Sequence, residues 1–419
     1  MGLSDADLCR LANAVDEERL WRMHMEMAKF GATARGGVCR ECLTPEDIQA
    51  RMLLKHWAEE LGCKVSIDAI GNMFVRREGS NPNADPIATG SHLDSQPTGG
   101  KFDGSYGVLA GIEMLYAMRD ANISTERPIE VINFTNEEGG RFQPGVMGSQ
   151  VFVRPDELQR MLGVVGADGV KMVDALSSFM REVGVVETKP LNSSYAGFVE
   201  AHIEQAPRLE ETGNTIGVVT GIQGARKYQV SVLGEEAHSG TMPMLRRKDA
   251  VLAASRMVVA LHELMEDPED LVRFNVGRFQ AYPGAPSVVP GQVRFSIDFR
   301  CPDDTQRERL GGRIAQICQA VAGACKVEVE EIQRAETTPF DRDVMKVIAK
   351  AADRIDVPRM ELLSGAAHDA RNMAQICPTG MVFIPCKDGI SHNEAEAAKS
   401  SDLAAGARVI AQTVAEMAG

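Results

Sequence analysis

A histidine and an acid frame the stretch GSHLDSQPTGGKFDG at residues 90–104: His92 and Asp103, with glycines, a proline and small polar residues between them. The chain has eight histidines, and they fall into two kinds. His24, His56 and His262 lie inside helical patterns and read as packing or surface residues. His92, His202, His238, His368 and His392 lie at strand ends or in loops among small residues, where an imidazole can take a metal or a proton. His92 closes the run IATGSHLD, so it projects from the carboxyl end of a strand, the edge at which open α/β sheets carry ligands. Asp94, two residues on, can hold the other imidazole nitrogen and fix the tautomer. FTNEEGGRF sets Glu137 and Glu138 at the end of another strand. Adjacent carboxylates point in different directions, so one can bind a metal while the other faces substrate and moves protons. With His202 in EAHIEQAP and His392 in GISHNEAE, His92, Asp103 and Glu138 supply nitrogen and oxygen donors for two metals if Asp103 is shared. SQPTGGKF is then the connection that returns Asp103 to the strand end carrying His92.

The elements that position these residues alternate between helix and strand. TPEDIQARMLLKHWAEELG has a Thr44 cap, Pro45 at the first helical position, acids in the first turn and a stop at Gly62. PIATGSHLD and PIEVINFTNEE are short apolar runs, as expected of strands buried on both faces. Between them Val108, Leu109, Ile112, Leu115 and Tyr116 recur at helical spacing, so the crossover is helical and the sheet mainly parallel. Near residue 217 the pattern changes. RKYQVSVLG alternates strictly, and helix, two strand-like runs, helix and KVEVEEI follow, which is the βαββαβ order of a split-βαβ sandwich. The expected fold is α/β: a mixed, mainly parallel sheet with helices on both faces at residues 1–216 and 333–419, and an inserted α+β sandwich at residues 217–332.

Composition narrows the function. A chain of 419 residues exceeds one compact core, so two domains are expected. The net charge of −14 argues against a nucleic-acid partner, which needs a basic surface. No apolar run is long enough to span a membrane, and the acidic N-terminus has no apolar signal region. The Met-Gly start has Ala6 where myristoylation wants Ser or Thr. Nine scattered cysteines fit reduced thiols in a cytoplasm, and the lone CREC pair, Cys39 and Cys42, reads as structural. Arg300 stands on the polar face of QVRFSIDFR, opposite Val293, Phe295, Ile297 and Phe299, where its planar fork suits a carboxylate.

The segments GATARGGVCR, GSHLDSQPTGGKFDG, TNEEGGRFQPGVMGS, HIEQAPRLE, HSGTMPM, SIDFR, SGAAHDARNMA and GMVFIPCKDGISHNEAE occur in the order found in the M20 metallopeptidases. They resemble its amidase branch of N-carbamoyl-L-amino-acid hydrolases, β-ureidopropionases and allantoate amidohydrolases, over nearly the whole chain. The resemblance implies a di-metal catalytic domain with His92 and His202 on one divalent ion, Glu138 and His392 on the other, and Asp103 between. It implies Glu137 as general base, Asp94 beside it, and His238 as a stabiliser of charge on the substrate carbonyl. Asn275, Arg300, Gln205 and His368 would contact substrate, with Asp369 a weaker candidate. The insert would be a lid and dimerisation domain, giving a homodimer. The implied reaction is cleavage of the carbamoyl C–N bond of an N-carbamoyl amino acid by a water activated between two ions, with zinc, manganese, cobalt or nickel all suited to the donors. Allantoate is the alternative substrate, then a dipeptide or acyl amide, then a non-catalytic binding role. Relatives commonly carry Asn-Val-Ile-Pro before the IDFR strand, whereas this chain has Ser287-Val288-Val289-Pro290, which changes a local substrate contact.

Overall fold

A computed structural model describes residues 2–184 and 186–419. The chain divides into two compact units, Met1–Gly221 with Pro339–Gly419, and Ile222–Thr338.

The larger unit is built on a mixed sheet whose centre is parallel. Strand Ile87–His92 pairs in parallel with Ile129–Phe134 on one side and Gly197–Ile203 on the other, and Thr379–Ile384 adds in parallel beyond the latter. Every residue of these four strands is buried. That burial explains their unbroken apolar character, since helices cover both faces of such a sheet. The flanks are antiparallel: Met73–Arg77 pairs with Ile129–Phe134, and Ile216–Ile222 pairs with Thr379–Ile384. Thr44 caps helix Pro45–Glu60 by accepting from the Asp47 N–H, as its sequence predicts.

Helix Ser105–Asp120 begins immediately after Asp103 and is buried through Met118. It packs on the sheet beside the C-terminal helix Ser400–Ala418, where the Tyr106 hydroxyl donates to the Leu403 carbonyl at 3.0 Å. A buried acid, Glu113, is neutralised by Arg19 at 2.6 Å, which ties the helix Glu17–Met27 to the same layer. The start of the site helix is thus locked into an extensive apolar cluster.

The smaller unit is an antiparallel sheet with two helices, in the expected βαββαβ order. Gly224–Leu233 and Gln292–Cys301 are central, Lys326–Ala335 lies outside the first, and the other edge is split into Arg273–Asn275 and Phe279–Tyr282. The sequence predicts that edge as one continuous run. It breaks because Ser296 pairs with Arg278 through both its N–H and its hydroxyl, a local irregularity at Gly277. Helices Ala250–Met265 and Asp304–Val321 pack on Tyr228, Val230, Val232, Phe295 and Ile297, the residues whose alternation marks the core face. No helix among the described residues is long and apolar enough to cross a membrane, and all nine cysteines are free.

Candidate metal centre

The carboxyl ends of the parallel strands deliver the chemistry. His92 is the last residue of its strand, His202 the penultimate residue of the adjacent one, and Glu137 and Glu138 follow Phe134 by three and four residues. Asp103 arrives on the glycine-rich loop and His392 on the loop after Thr379–Ile384.

Asp103 is the hub. Its Oδ1 lies 3.2 Å from His202 Nε2 and 4.0 Å from His92 Nε2. Its Oδ2 lies 3.3 Å from His392 Nε2, which in turn lies 3.3 Å from Glu138 Oε2. Two donor groups therefore share one acid: His92, Asp103 and His202, and Asp103, Glu138 and His392. Glu137 stands at their edge, its Oε2 3.5 Å from His92 Nε2.

The backbone fixes which nitrogen each buried imidazole presents. His92 Nδ1 pairs with the Asp94 carbonyl at 2.9 Å, and His202 Nδ1 pairs with the Ile203 carbonyl at 2.9 Å. Each carbonyl takes an Nδ1 proton, so the neutral ring presents its Nε2 lone pair on the Asp103 side, the tautomer a metal requires. Asp94 was expected to hold His92 through its carboxylate, but that group is 3.9 Å away. Its two oxygens instead accept the backbone N–H groups of Glu137 and Glu138 at 3.2 Å each. Asp94 orients the histidine with its main chain and the acid pair with its side chain.

Gly104 shows why the opening loop is rich in glycine. It has φ +63°, and a Cβ there would run into the His92 ring. Its N–H also lies 3.1 Å from His202 Nε2. Three non-glycine residues at the site, Asn136, Gln205 and His392, likewise hold φ of 57°, 59° and 52°. Left-handed backbone of this kind persists where its surroundings over-determine it.

The electrostatics suit a bound cation. Burial, then Asp369, Glu138, Asp94 and Asp103, push Glu137 well above the usual carboxylate range. Burial, then Asp103, push Glu138 up to about 8, and burial takes Asp94 to about 7. Burial opposes charge on His202, yet its bond to Asp103 more than offsets this and raises the ring to about 9; the same acid raises His392 to about 9. His92, with burial dominant, falls to about 4. So many acids around so few cations are costly in a buried site unless a divalent ion sits among them. Nitrogen and oxygen donors with inward lone pairs fit such ions.

The structure also places the other expected residues. Gln205 joins the cluster: its amide donates to Asp103 Oδ2 at 3.0 Å and to Ser391 Oγ at 3.2 Å. His368 is buried with its ring 4.5 Å from that of His202 and its Nε2 3.0 Å from Ser364 Oγ, so it braces His202 instead of lying open. Asp369 is buried and accepts from Ser149 Oγ at 2.5 Å. On the smaller unit, His238 is exposed, its Nδ1 accepts from the Gly240 N–H at 3.0 Å, and its short strand pairs with Val288–Val289. The Ser287 carbonyl accepts from the Ser239 N–H at 3.1 Å, so the departure at Ser287 lies beside His238. Asn275 stands opposite Asp298 and Arg273 opposite Arg300, which puts Asn275 and Arg300 on one face of the sheet. The Arg300 fork is already engaged by Asp298 at 3.2 and 3.1 Å. Cys39 and Cys42 are free.

Sequence reasoning missed several polar groups that pack on the donors. Gln96 donates to Glu138 Oε2 at 2.9 Å. Glu200, buried in the His202 strand, accepts from Ser91 Oγ at 2.7 Å and the Ala370 N–H at 2.8 Å. Its signal was available: an acid two residues before His202 in an otherwise apolar strand shares that histidine's face.

The pattern defining peptidase family M20/M25/M40 matches residues 88–416. The chain is 37% identical to an N-carbamoyl-L-amino-acid amidohydrolase of Rhizobium meliloti, across 96% of this chain and 97% of that one. It is 34% identical to a ureidoglycolate hydrolase of Arabidopsis thaliana, across 96% and 87%. The crystal structure of a hydantoinase/carbamoylase family amidase from Burkholderia vietnamiensis superposes with a TM-score of 0.88 at 42% identity, covering 96% of this chain and 98% of that one.

Proposed function

The chain belongs to peptidase family M20/M25/M40, and from that premise we propose that it is an N-carbamoyl-amino-acid amidohydrolase. It cleaves the carbamoyl C–N bond, releasing a free amino acid and a carbamate that falls apart to carbon dioxide and ammonia. The observation that carries this reading is Asp103 standing between two donor groups, each completed by histidine, at the carboxyl edge of the sheet.

We assign His92, His202 and Asp103 to one divalent ion and Asp103, Glu138 and His392 to a second. Ions held there supply Lewis acidity toward a carbonyl and lower the pKa of water at the site. Glu137 takes the proton of the attacking water and returns it to the departing nitrogen. Its position is set by Asp94, which grips the Glu137 N–H. The high proton affinity given to Glu137 by burial and neighbouring acids suits a group that must hold a proton between the two transfers. Gln205 and His368 keep Asp103 and His202 in place.

To His238 of the smaller unit, from this chain or a partner subunit, we assign stabilisation of the charge that develops on the carbonyl oxygen. With Nδ1 accepting from Gly240, the neutral ring carries its proton on Nε2, ready to donate. Arg300 and Asn275 bind the substrate carboxylate, which competes with Asp298 for the Arg300 fork. We also assign the smaller unit to a homodimer contact, supported by the exposed Leu252 and Val259 of helix Ala250–Met265, and the chain to the cytoplasm, supported by its free cysteines.

The test is ammonia release with added manganese from several N-carbamoyl-L-amino acids, N-carbamoyl-β-alanine, allantoate and ureidoglycolate. Turnover should favour an N-carbamoyl amino acid. Exclusive turnover of allantoate or ureidoglycolate would move the assignment to another ureido substrate. Hydrolysis of dipeptides alone would end it.

A further inference from the structure

We infer that Glu396 is a positioning residue whose carboxylate clamps the loop carrying Asp103 onto the loop carrying His392, and so sets the shared acid between the two donor groups. The inference rests on the reading of Asp103 and His392 as metal ligands.

Glu396 follows His392 by four residues in SHNEAE and is only 5% exposed. Its Oε1 accepts the backbone N–H groups of both Phe102 and Asp103, at 2.9 and 3.1 Å. Its Oε2 is met by Ser391 Oγ at 3.0 Å, and the same hydroxyl lies 2.9 Å from Asp103 Oδ2. The clamp therefore reaches Asp103 through its main chain, and the single Ser391 proton is shared between the Glu396 carboxylate and the Asp103 oxygen that faces His392. Residues 93–104 belong to no helix or strand beyond a single bridge between Gly99 and Val38, and while the Phe102 and Asp103 carbonyls accept from the first turn of the following helix, their N–H groups go to Glu396. Charge-assisted bonds from two consecutive N–H groups to one carboxylate oxygen restrain Asp103 there.

Gly100 completes the arrangement. A Cβ at this position would collide with the Glu396 carboxyl group itself, and Gly100 is not at positive φ, so alanine there acts on the carboxylate and not through backbone strain. The second glycine of TGGKFDG is thus accounted for by a partner almost three hundred residues away.

The experiment titrates zinc and manganese into the metal-stripped full chain by calorimetry, with kcat and KM measured at saturating metal. Glu396→Ala should weaken divalent-ion affinity by about 10–100-fold and lower kcat more than it raises KM, the range typical of partners that orient ligands. Glu396→Gln keeps an oxygen for the two N–H groups and should recover most of that affinity, which a loss of fold would not allow. Gly100→Ala should resemble Glu396→Ala, and the double variant should be no worse than the poorer single one, because both act through one contact. Unchanged affinity in Glu396→Ala, or additive losses in the double variant, would overturn the inference. Asp103→Ala separates the two levels: if it also leaves metal affinity intact, the metal reading falls and the clamp with it. If it abolishes binding while Glu396→Ala does not, only the clamp falls.

Discussion

Gly104→Ala tests whether the glycine-rich loop exists to let Asp103 pass close to His92. A methyl at residue 104 would occupy space held by the His92 imidazole, against an ordinary carbon–carbon contact of about 3.5–4.0 Å. Either the ring or the loop has to move by on the order of 1 Å. The ring is anchored by its 2.9 Å bond to the Asp94 carbonyl, worth about 1 kcal/mol, and loses it if it yields. The φ of +63° with ψ −51° lies outside the left-handed helical region and adds a backbone cost for any L-residue with a Cβ. A positive-φ site free of collision serves as comparison: Gly62 has φ +69° and nothing within 4 Å of where an alanine methyl would stand, so Gly62→Ala carries a backbone cost without a clash. We expect both variants to lose stability in thermal unfolding, Gly104→Ala by about 1 kcal/mol more. Only Gly104→Ala should weaken metal binding, by about 10–100-fold in calorimetric titration. Wild-type metal affinity in Gly104→Ala, or an equal loss in Gly62→Ala, would refute the argument.

Glu137→Gln should retain metal content and lose about 10²–10⁴-fold in kcat, the usual worth of a general base; near-normal turnover with full metal would remove Glu137 from that role. Metal binding should release protons, because His202 and His392 are raised to about 9 in the metal-free state and must give up their Nε2 protons to coordinate. Apparent affinity should therefore climb as pH rises from 7 toward 9. Binding enthalpies that do not vary between buffers of different ionisation enthalpy would contradict this. His24, buried beside Phe102 and Tyr106, is depressed to about 3 by burial and then by Arg40, against a Lys101 backbone contact that works the other way. A ring that stays neutral in the fold and is protonated when unfolded contributes stability above pH 6.5 that is lost as pH falls. By pH 5 the loss is about 2 kcal/mol, and His24→Leu should flatten the denaturation midpoint against pH between 7 and 5; an unchanged slope would show that His24 does not titrate as described.

The catalytic sheet was legible where the physics is local. Apolar runs ending in histidine or paired acids marked the buried parallel strands and their functional edge, and Thr44-Pro45 marked a helix start. The smaller sheet was legible from alternation alone, because only one of its faces is buried. The flanking strands Lys64–Ile67 and Met73–Arg77 and the short helices Met147–Val153 and Leu158–Leu162 were not read, since such brief segments carry little period; helix Met172–Val183 was also not read, although Met172, Ala175, Leu176, Phe179 and Val183 recur at helical spacing. Within the site, residue types gave the donors but not the grips. Whether Asp94 acts by carbonyl or carboxylate, and that Glu396 reaches Phe102, are facts about backbone placement that side-chain spacing does not encode.

The sheet's strand order bears on how the protein is made. Gly197–Ile203 and Ile216–Ile222 are close in sequence, yet they stand apart with Thr379–Ile384 slotted between them. Until the ribosome has delivered that late segment, the nascent sheet offers two unpaired borders where the middle rung is missing, an invitation to wrong partners. His392 emerges later still. Hydrolysis is consequently withheld until the Thr379–Ile384 strand and the His392 loop have both been made, and a product truncated before Thr379 would be both inert and prone to stick.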